Sequence, residues 1–167
     1  MKYTAALKRM VTAAGFMVYL YFLTKLILFK WGSVDVQVLL NQLETTLNHP
    51  YHIFDRPGNY TPFKEIIREI YSLSISSPLS SINLIGNILA FIPLGIFLPK
   101  LFSSSASSIS RVFVLSLSLS LCFEMIQLLL FIGTFDVDDL ILNTSGAMIG
   151  YAALRIQVSS VKHLAVK

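Results

Sequence analysis

Four long apolar stretches decide what this chain can become. They cover residues 10–29, 82–98, 109–132 and 140–158. About 20 apolar residues in a helix cross the roughly 30 Å of hydrocarbon in a bilayer. The first and third reach that length, the second is short, and the fourth is the least apolar. In lipid, backbone N–H and C=O groups must be satisfied within the segment, which makes each stretch an α-helix. Composition agrees: 54% of the 167 residues are hydrophobic and 13% are charged, where soluble domains carry about 25% charged residues. The expected fold class is all-α: one integral membrane domain over residues 1–167, with four transmembrane helices and short amphipathic helices in a first loop, residues 30–81. Lys2, Lys8 and Arg9 precede the first stretch as in a signal peptide. Its apolar part is long, however, and no small-residue cleavage pattern follows "LTKLILFKW", so a retained helix is expected.

Loop charges orient the spans. Residues 1–9, 99–111 and 155–167 hold eight of the thirteen basic residues and none of the nine acids. Residues 30–81 and 133–139 hold four basic residues and eight acids; Lys25 and Glu124 lie within spans. Positive charge stays on the cytoplasmic side, which puts both termini there and turns the first loop and "GTFDVDD" outward. In the first loop, Val36, Leu39, Leu40, Leu43 and Leu47 recur at helical spacing and predict an amphipathic helix at the outer interface. A second short helix is expected from "TPFKEIIREIYSL", with Thr61 as N-cap, Pro62 at its first position, and Phe63, Ile66, Ile67 and Ile70 on one face. Serine-rich segments lead into the second span and join it to the third. The single cysteine, Cys122, reads as a small apolar residue, buried or facing lipid. His49 and His52 have zinc-like spacing without further ligands nearby, so no metal site and no cofactor is expected.

The polar residues inside the spans share a level. With a rise of 1.5 Å per residue, Glu124 lies roughly 12 Å and Gln127 roughly 8 Å below the outer rim of the third span. Asn87 lies roughly 8 Å deep, Asn83 near the rim, Asn143 roughly 5–7 Å and Lys25 roughly 6–8 Å deep. Asn83 with Asn87, Glu124 with Gln127, and Asp139 with Asn143 each share one helix face. An ionisable group at such depth costs several kcal/mol unless it faces the bundle interior or water. These faces are therefore expected to meet in an outward-open polar pocket of Asn83, Asn87, Glu124, Gln127, Asp136, Asp139 and Asn143. Lys25 either pairs with Glu124 or snorkels to the surface. Asp138 reads as a cap at the start of the fourth helix. Pro93 should kink the second span and free the Leu89 carbonyl toward the pocket. Gly146 and Gly150 form a small-residue step that admits a neighbouring helix closely.

In combination, "NYTPF", "NLIGNILAFIPLGIFLP", E-x-x-Q, G-x-x-D-x-x-D and N-T-x-G-x-x-x-G resemble the VanZ-like membrane proteins, over about residues 29–151. The matching positions are Thr61, Pro62, Phe63, Asn87, Pro93, Gly95, Glu124, Gln127, Asp136, Asp139, Asn143 and Gly146. The resemblance implies a small multi-pass protein of the bacterial cell membrane, linked to lowered susceptibility to teicoplanin-type lipoglycopeptides. Many relatives carry a basic residue after the E-x-x-Q helix; "FIGTFDVDD" has none.

Three functions fit these features, one of them a small transporter or assembly partner that would need to oligomerise; the other two centre on the pocket. In one, the pocket binds a lipid-linked or amphiphilic envelope molecule: membrane lipid, lipoglycopeptide or cell-wall precursor. In the other, a membrane enzyme modifies such a lipid, with Glu124 as general base and Asp139 orienting it. A base is in view but no nucleophile, metal or oxyanion donor, which ranks the enzyme second. Nothing points to nucleic acid, and the sequence is silent on oligomeric state.

Overall fold

In a computed structural model the described residues form α-helices, a short 3-10 helix at Pro50–Ile53 and one short strand pair, joined by turns. The structure describes residues 2–29, 32, 35–73, 82–102 and 108–165. The serine-rich joins at 74–81 and 103–107 lie outside the described residues, as do Lys30 and Lys167 of the charge pattern. Six helices follow in order: α1 Lys2–Phe29, α2 Val36–Asn48, α3 Lys64–Leu73, α4 Ile82–Leu101, α5 Ile109–Leu130 and α6 Val137–Ala165. Of the described helices, α1, α4 and α5 are long and apolar enough to cross a membrane, by length and composition. The fourth apolar stretch does form a helix, α6, longer than the expected 140–158. It carries Asp138, Asp139, Asn143 and Thr144 near its start and Arg155 further on, which dilutes its apolar character.

The α4–α6 contact is set by missing side chains. A Cβ on Gly146 would lie 2.2 Å from the Ile88 carbonyl oxygen, and one on Gly150 would lie 2.0 Å from that of Ile92. A Cβ on Gly95 would lie 1.8 Å from the Ala147 oxygen. Matching four-residue steps on both helices mean that α4 and α6 run parallel with their backbones touching. Pro93 sits inside α4, which stays continuous through it. Leu89, whose carbonyl Pro93 cannot satisfy, is exposed and is not in the cavity wall, against expectation. The next carbonyl, Ala90, accepts the Tyr19 hydroxyl at 2.8 Å.

Around this pair α1 and α5 close the bundle. Leu23, Phe91, Leu94, Phe123 and Ala147 are central to the buried core. Phe16 and Tyr19 of α1 each place their rings 5.7 Å from that of Phe97 on α4. On α5, Ser116, Ser120 and Glu124 are fully buried at four-residue spacing, so one face of this helix is polar inside the bundle. The rest of its circumference is apolar and largely exposed, for example at Phe113, Leu121 and Met125.

Candidate functional site

One end of the bundle gathers the C-terminal ends of α1 and α5 and the N-terminal ends of α4 and α6. There the segment from α2 to α3 folds over the helix ends and is tied down by a short parallel strand pair, β1 Gly58–Asn59 with β2 Phe135–Asp136. Tyr60 and Phe135 stack beside it, ring centroids 5.4 Å apart. The first turns and last turns of α-helices leave unpaired N–H and C=O groups. At this end, several are answered by side chains from other elements.

Helix α5 stops where Phe131 enters the left-handed region at φ 56°. Its last carbonyls then find three different donors. The Gln127 carbonyl accepts the Ile132 N–H at 3.2 Å. That of Leu129 accepts the Thr46 hydroxyl of α2 at 2.9 Å. That of Leu128 accepts the Arg56 guanidinium, which also donates to Thr46 Oγ1 at 3.0 Å and lies 4.4 Å from the centroid of the Phe131 ring. A cation at a helix C-terminus complements the dipole. Gln127 turns the other way, and its Nε2 donates to the Ile27 carbonyl in the last turn of α1 at 3.0 Å.

The N-termini are answered by acids. Asp138, 1% exposed, accepts the Phe63 N–H at 2.5 Å, the Glu65 N–H at 2.7 Å and the Ile66 N–H at 3.1 Å. It caps α3 rather than the start of its own helix, which corrects the expected role. Thr61 is not the cap of α3, and the helix begins only at Lys64. Phe63 holds φ at 67°, a left-handed conformation that no helix can include. Helix α6 is started by Asp136, whose Oδ1 accepts the Asp138 N–H at 2.8 Å. Helix α4 is started by Glu69, whose Oε2 accepts the Leu84 N–H at 3.2 Å. Asn59 joins these acids, donating to Asp136 at 2.8 Å and to Asp138 at 3.3 Å.

Between these ends lies a cavity of about 640 Å³. Its polar wall includes Asn83, Asn87, Gln127, Asp136 and Asp139; its apolar wall includes Leu26, Ile27, Leu84 and Leu142; Lys64, Glu65, Arg68 and Glu69 of α3 lie along one side. Asn87 donates to Asp139 Oδ1 at 2.5 Å. Of the sequence-predicted set, Glu124 and Asn143 do not line the cavity. Glu124 is fully buried behind its wall, with Oε2 accepting the Asp136 N–H at 2.7 Å. Asn143 lies one helical turn further in, donating to Ser120 Oγ at 2.8 Å. Glu124 Oε1, Asn143 Oδ1 and Thr144 Oγ1 are buried with no hydrogen-bond partner among the described residues. Lys25 does not pair with Glu124; its ammonium lies 5.9 Å from the centroid of the Phe29 ring. Among the described residues no group of three His, Cys, Asp or Glu side chains is arranged to hold a metal ion.

Arg56, Thr46, Asn59, Glu69 and the capping role of Asp138 were missed from sequence. The one local signal was Asn59, which opens the quoted "NYTPF". The other contacts join residues far apart in the chain and leave no periodicity to read.

Comparison with known proteins adds a family. The VanZ/LLP1 family profile matches residues 16–158. Protein VanZ of Enterococcus faecium is 38% identical over 82 residues, which is 49% of this chain and 48% of that protein. The match therefore spans about half the length of this curated relative. No solved structure matches the chain. With most of its length inside the profile, cavity-lining helices included, the chain belongs to the VanZ/LLP1 family.

Proposed function

We propose that the protein is a multi-pass cell-membrane protein with four spans, α6 being the fourth, and with both termini in the cytoplasm. In this reading the cavity faces outward and holds the polar head of a lipid-linked or amphiphilic envelope molecule, and the protein contributes to resistance against teicoplanin-type lipoglycopeptides. The observation that carries the reading is the cavity itself, with amides and carboxylates on one wall and Leu26, Ile27, Leu84 and Leu142 on another. Sites for small ligands combine apolar walls with a few convergent polar groups. An amphiphile meets both at once. Much of the polar wall already serves the fold: Gln127 holds α1, Asp136 starts α6. Asn83 is exposed and lines the cavity, and it leads the residues left for a ligand.

The enzymatic alternative is disfavoured by the position of Glu124. A general base must come within hydrogen-bond reach of the proton it abstracts. Glu124 is fully buried, outside the cavity wall, with one oxygen committed to the Asp136 N–H.

Two measurements test this. A photoreactive residue at position 83 of the full-length protein, irradiated in its native membrane, should enrich one class of envelope lipid over bulk phospholipid. Adducts in proportion to lipid abundance would sink the binding reading. In a susceptible host, Glu124→Gln should keep whatever teicoplanin resistance the parent protein confers, because the amide still accepts the Asp136 N–H. Glu124→Ala should lose it. Loss with Gln and retained folding would restore the base role.

A further inference from the structure

The segment that covers the cavity end carries a second feature, independent of any ligand. Helix α2 is anchored by polar atoms: Asp35 caps it, accepting the Gln37 N–H at 2.9 Å, and buried Thr46 binds α5. Val38 is exposed on one side of it, and Val36, Leu40, Leu43 and Leu47 are exposed on the other. At 3.6 residues per turn the last four form one narrow stripe, about a quarter turn from Thr46, while Gln37, Asn41 and Glu44 fall on the other flank. Helix α3 repeats the arrangement. Its acids Glu65 and Glu69 turn to the cavity and to α4. Ile67, Ile70 and Tyr71 are exposed on the opposite side.

A soluble domain would bury such stripes against its core. Here two helices at the bundle end both hold the protein by polar groups and present apolar residues outward. Both also sit at one level. Helix α2 is tied to the last turn of α5 through Leu129, and α3 to the first turn of α4 through Leu84. These are the ends of helices long enough to span a membrane, where hydrocarbon gives way to headgroups. The bundle also exposes apolar residues, on α5 for example Leu121 and Met125. Lys64 and Arg68 flank the α3 stripe, Arg68 in an ion pair with Glu65, and basic side chains beside an apolar stripe suit an anionic lipid surface.

We propose that α2 and α3 are interfacial helices, both immersed by their apolar stripes in the lipid leaflet at this end of the bundle. They form a collar that sets the cavity mouth at headgroup depth. The partner is the lipid surface itself, along the acyl–headgroup boundary that amphipathic helices occupy.

Nitroxide labels read this directly. In a Cys122→Ser background, single cysteines replace residues 40, 43, 47, 67 and 70 in one set and 37, 41, 44 and 68 in another, and the full-length protein is reconstituted in vesicles. Oxygen, which partitions into the bilayer, should relax the first set, and a water-soluble nickel chelate should relax the second. The phase of the pattern across nine sites does not depend on any one variant. Nickel reaching both sets equally would overturn the proposal. So would exclusion of both reagents from the first set with spin–spin broadening, since a second copy of the chain would then cover the stripes.

Discussion

The α4–α6 contact and the cavity end hold the molecule together by opposite means. Along α4 and α6 the fit is one of shape: three glycines let two backbones meet, and side-chain hydrogen bonds take no part in it at Gly146, Gly150 and Gly95. At the cavity end the fit is one of hydrogen-bond completion: Arg56, Thr46, Gln127, Asp136, Asp138 and Glu69 each serve a helix terminus. With α6 as the proposed fourth span, lipid explains the division. Between spans there is no gain from burying apolar surface that lipid would cover equally well, so close packing and hydrogen bonding decide association. Helices satisfy their own backbones along the middle, where shape is what remains to be matched. Their ends leave donors and acceptors open, and an end region that also houses a cavity must supply partners for them.

The largest effect should come from the middle. Gly146→Ala and Gly150→Ala each drive a methyl into a carbonyl oxygen at 2.2 or 2.0 Å. Overpacking typically costs about 1–3 kcal/mol, and backbone on the far side yields less than a flexible side chain would. The pair of substitutions should lower the thermal midpoint in detergent more than any single change at the cavity end. A double variant as stable as the parent would mean that α4 and α6 do not meet through these glycines.

The end should give way more locally. Asp138→Ala removes the acceptor of three backbone N–H groups at the start of α3. An unsatisfied buried donor costs about 1–3 kcal/mol, but solvent entering as α3 lifts would recover part of that. The expected result is faster amide hydrogen exchange over residues 63–66 with the exchange of α4 and α6 unchanged. Slow exchange at 63–66 in this variant would show that another acceptor serves α3, and the division between middle and end would lose its clearest case.

The same division explains what could be read from sequence. The starts of α4 at residue 82 and of α5 at 109 were legible because an apolar run begins there, whereas α1 and α6 extend beyond the expected 10–29 and 140–158. The glycine step was legible because 146 and 150 share a face. The polar residues were legible as a group, but their tasks were not. Asp138 was assigned to its own helix because capping is usually local; the left-handed Phe63, which lets it cap α3 instead, depends on a strand pairing between residues 59 and 136. Depth counting placed Glu124 and Asn143 level with the others, yet only rotation about the helix axis decides that they sit behind the cavity wall. Arg56 lies in a turn-rich stretch with no period, and its position at the end of α5 is fixed by contacts 72 residues away.

The smallest effect sharpens the contrast from the other side. Lys25 is a charged residue at the cavity end of α1, where many of the other polar groups serve a helix terminus or the cavity. Its one specific contact is the ring of Phe29, a turn further along the same helix, 5.9 Å from the ammonium. A cation over an aromatic ring at such a site is worth about 0.5–1 kcal/mol, and its aliphatic stem packs equally well without the charge. Lys25→Met should therefore leave the thermal midpoint nearly unchanged, where Lys25 paired to a buried carboxylate would cost about 3–5 kcal/mol on removal. A large drop in midpoint would bring back the Lys25–Glu124 pair, and with it a cavity end held by charge rather than by the completion of helix ends.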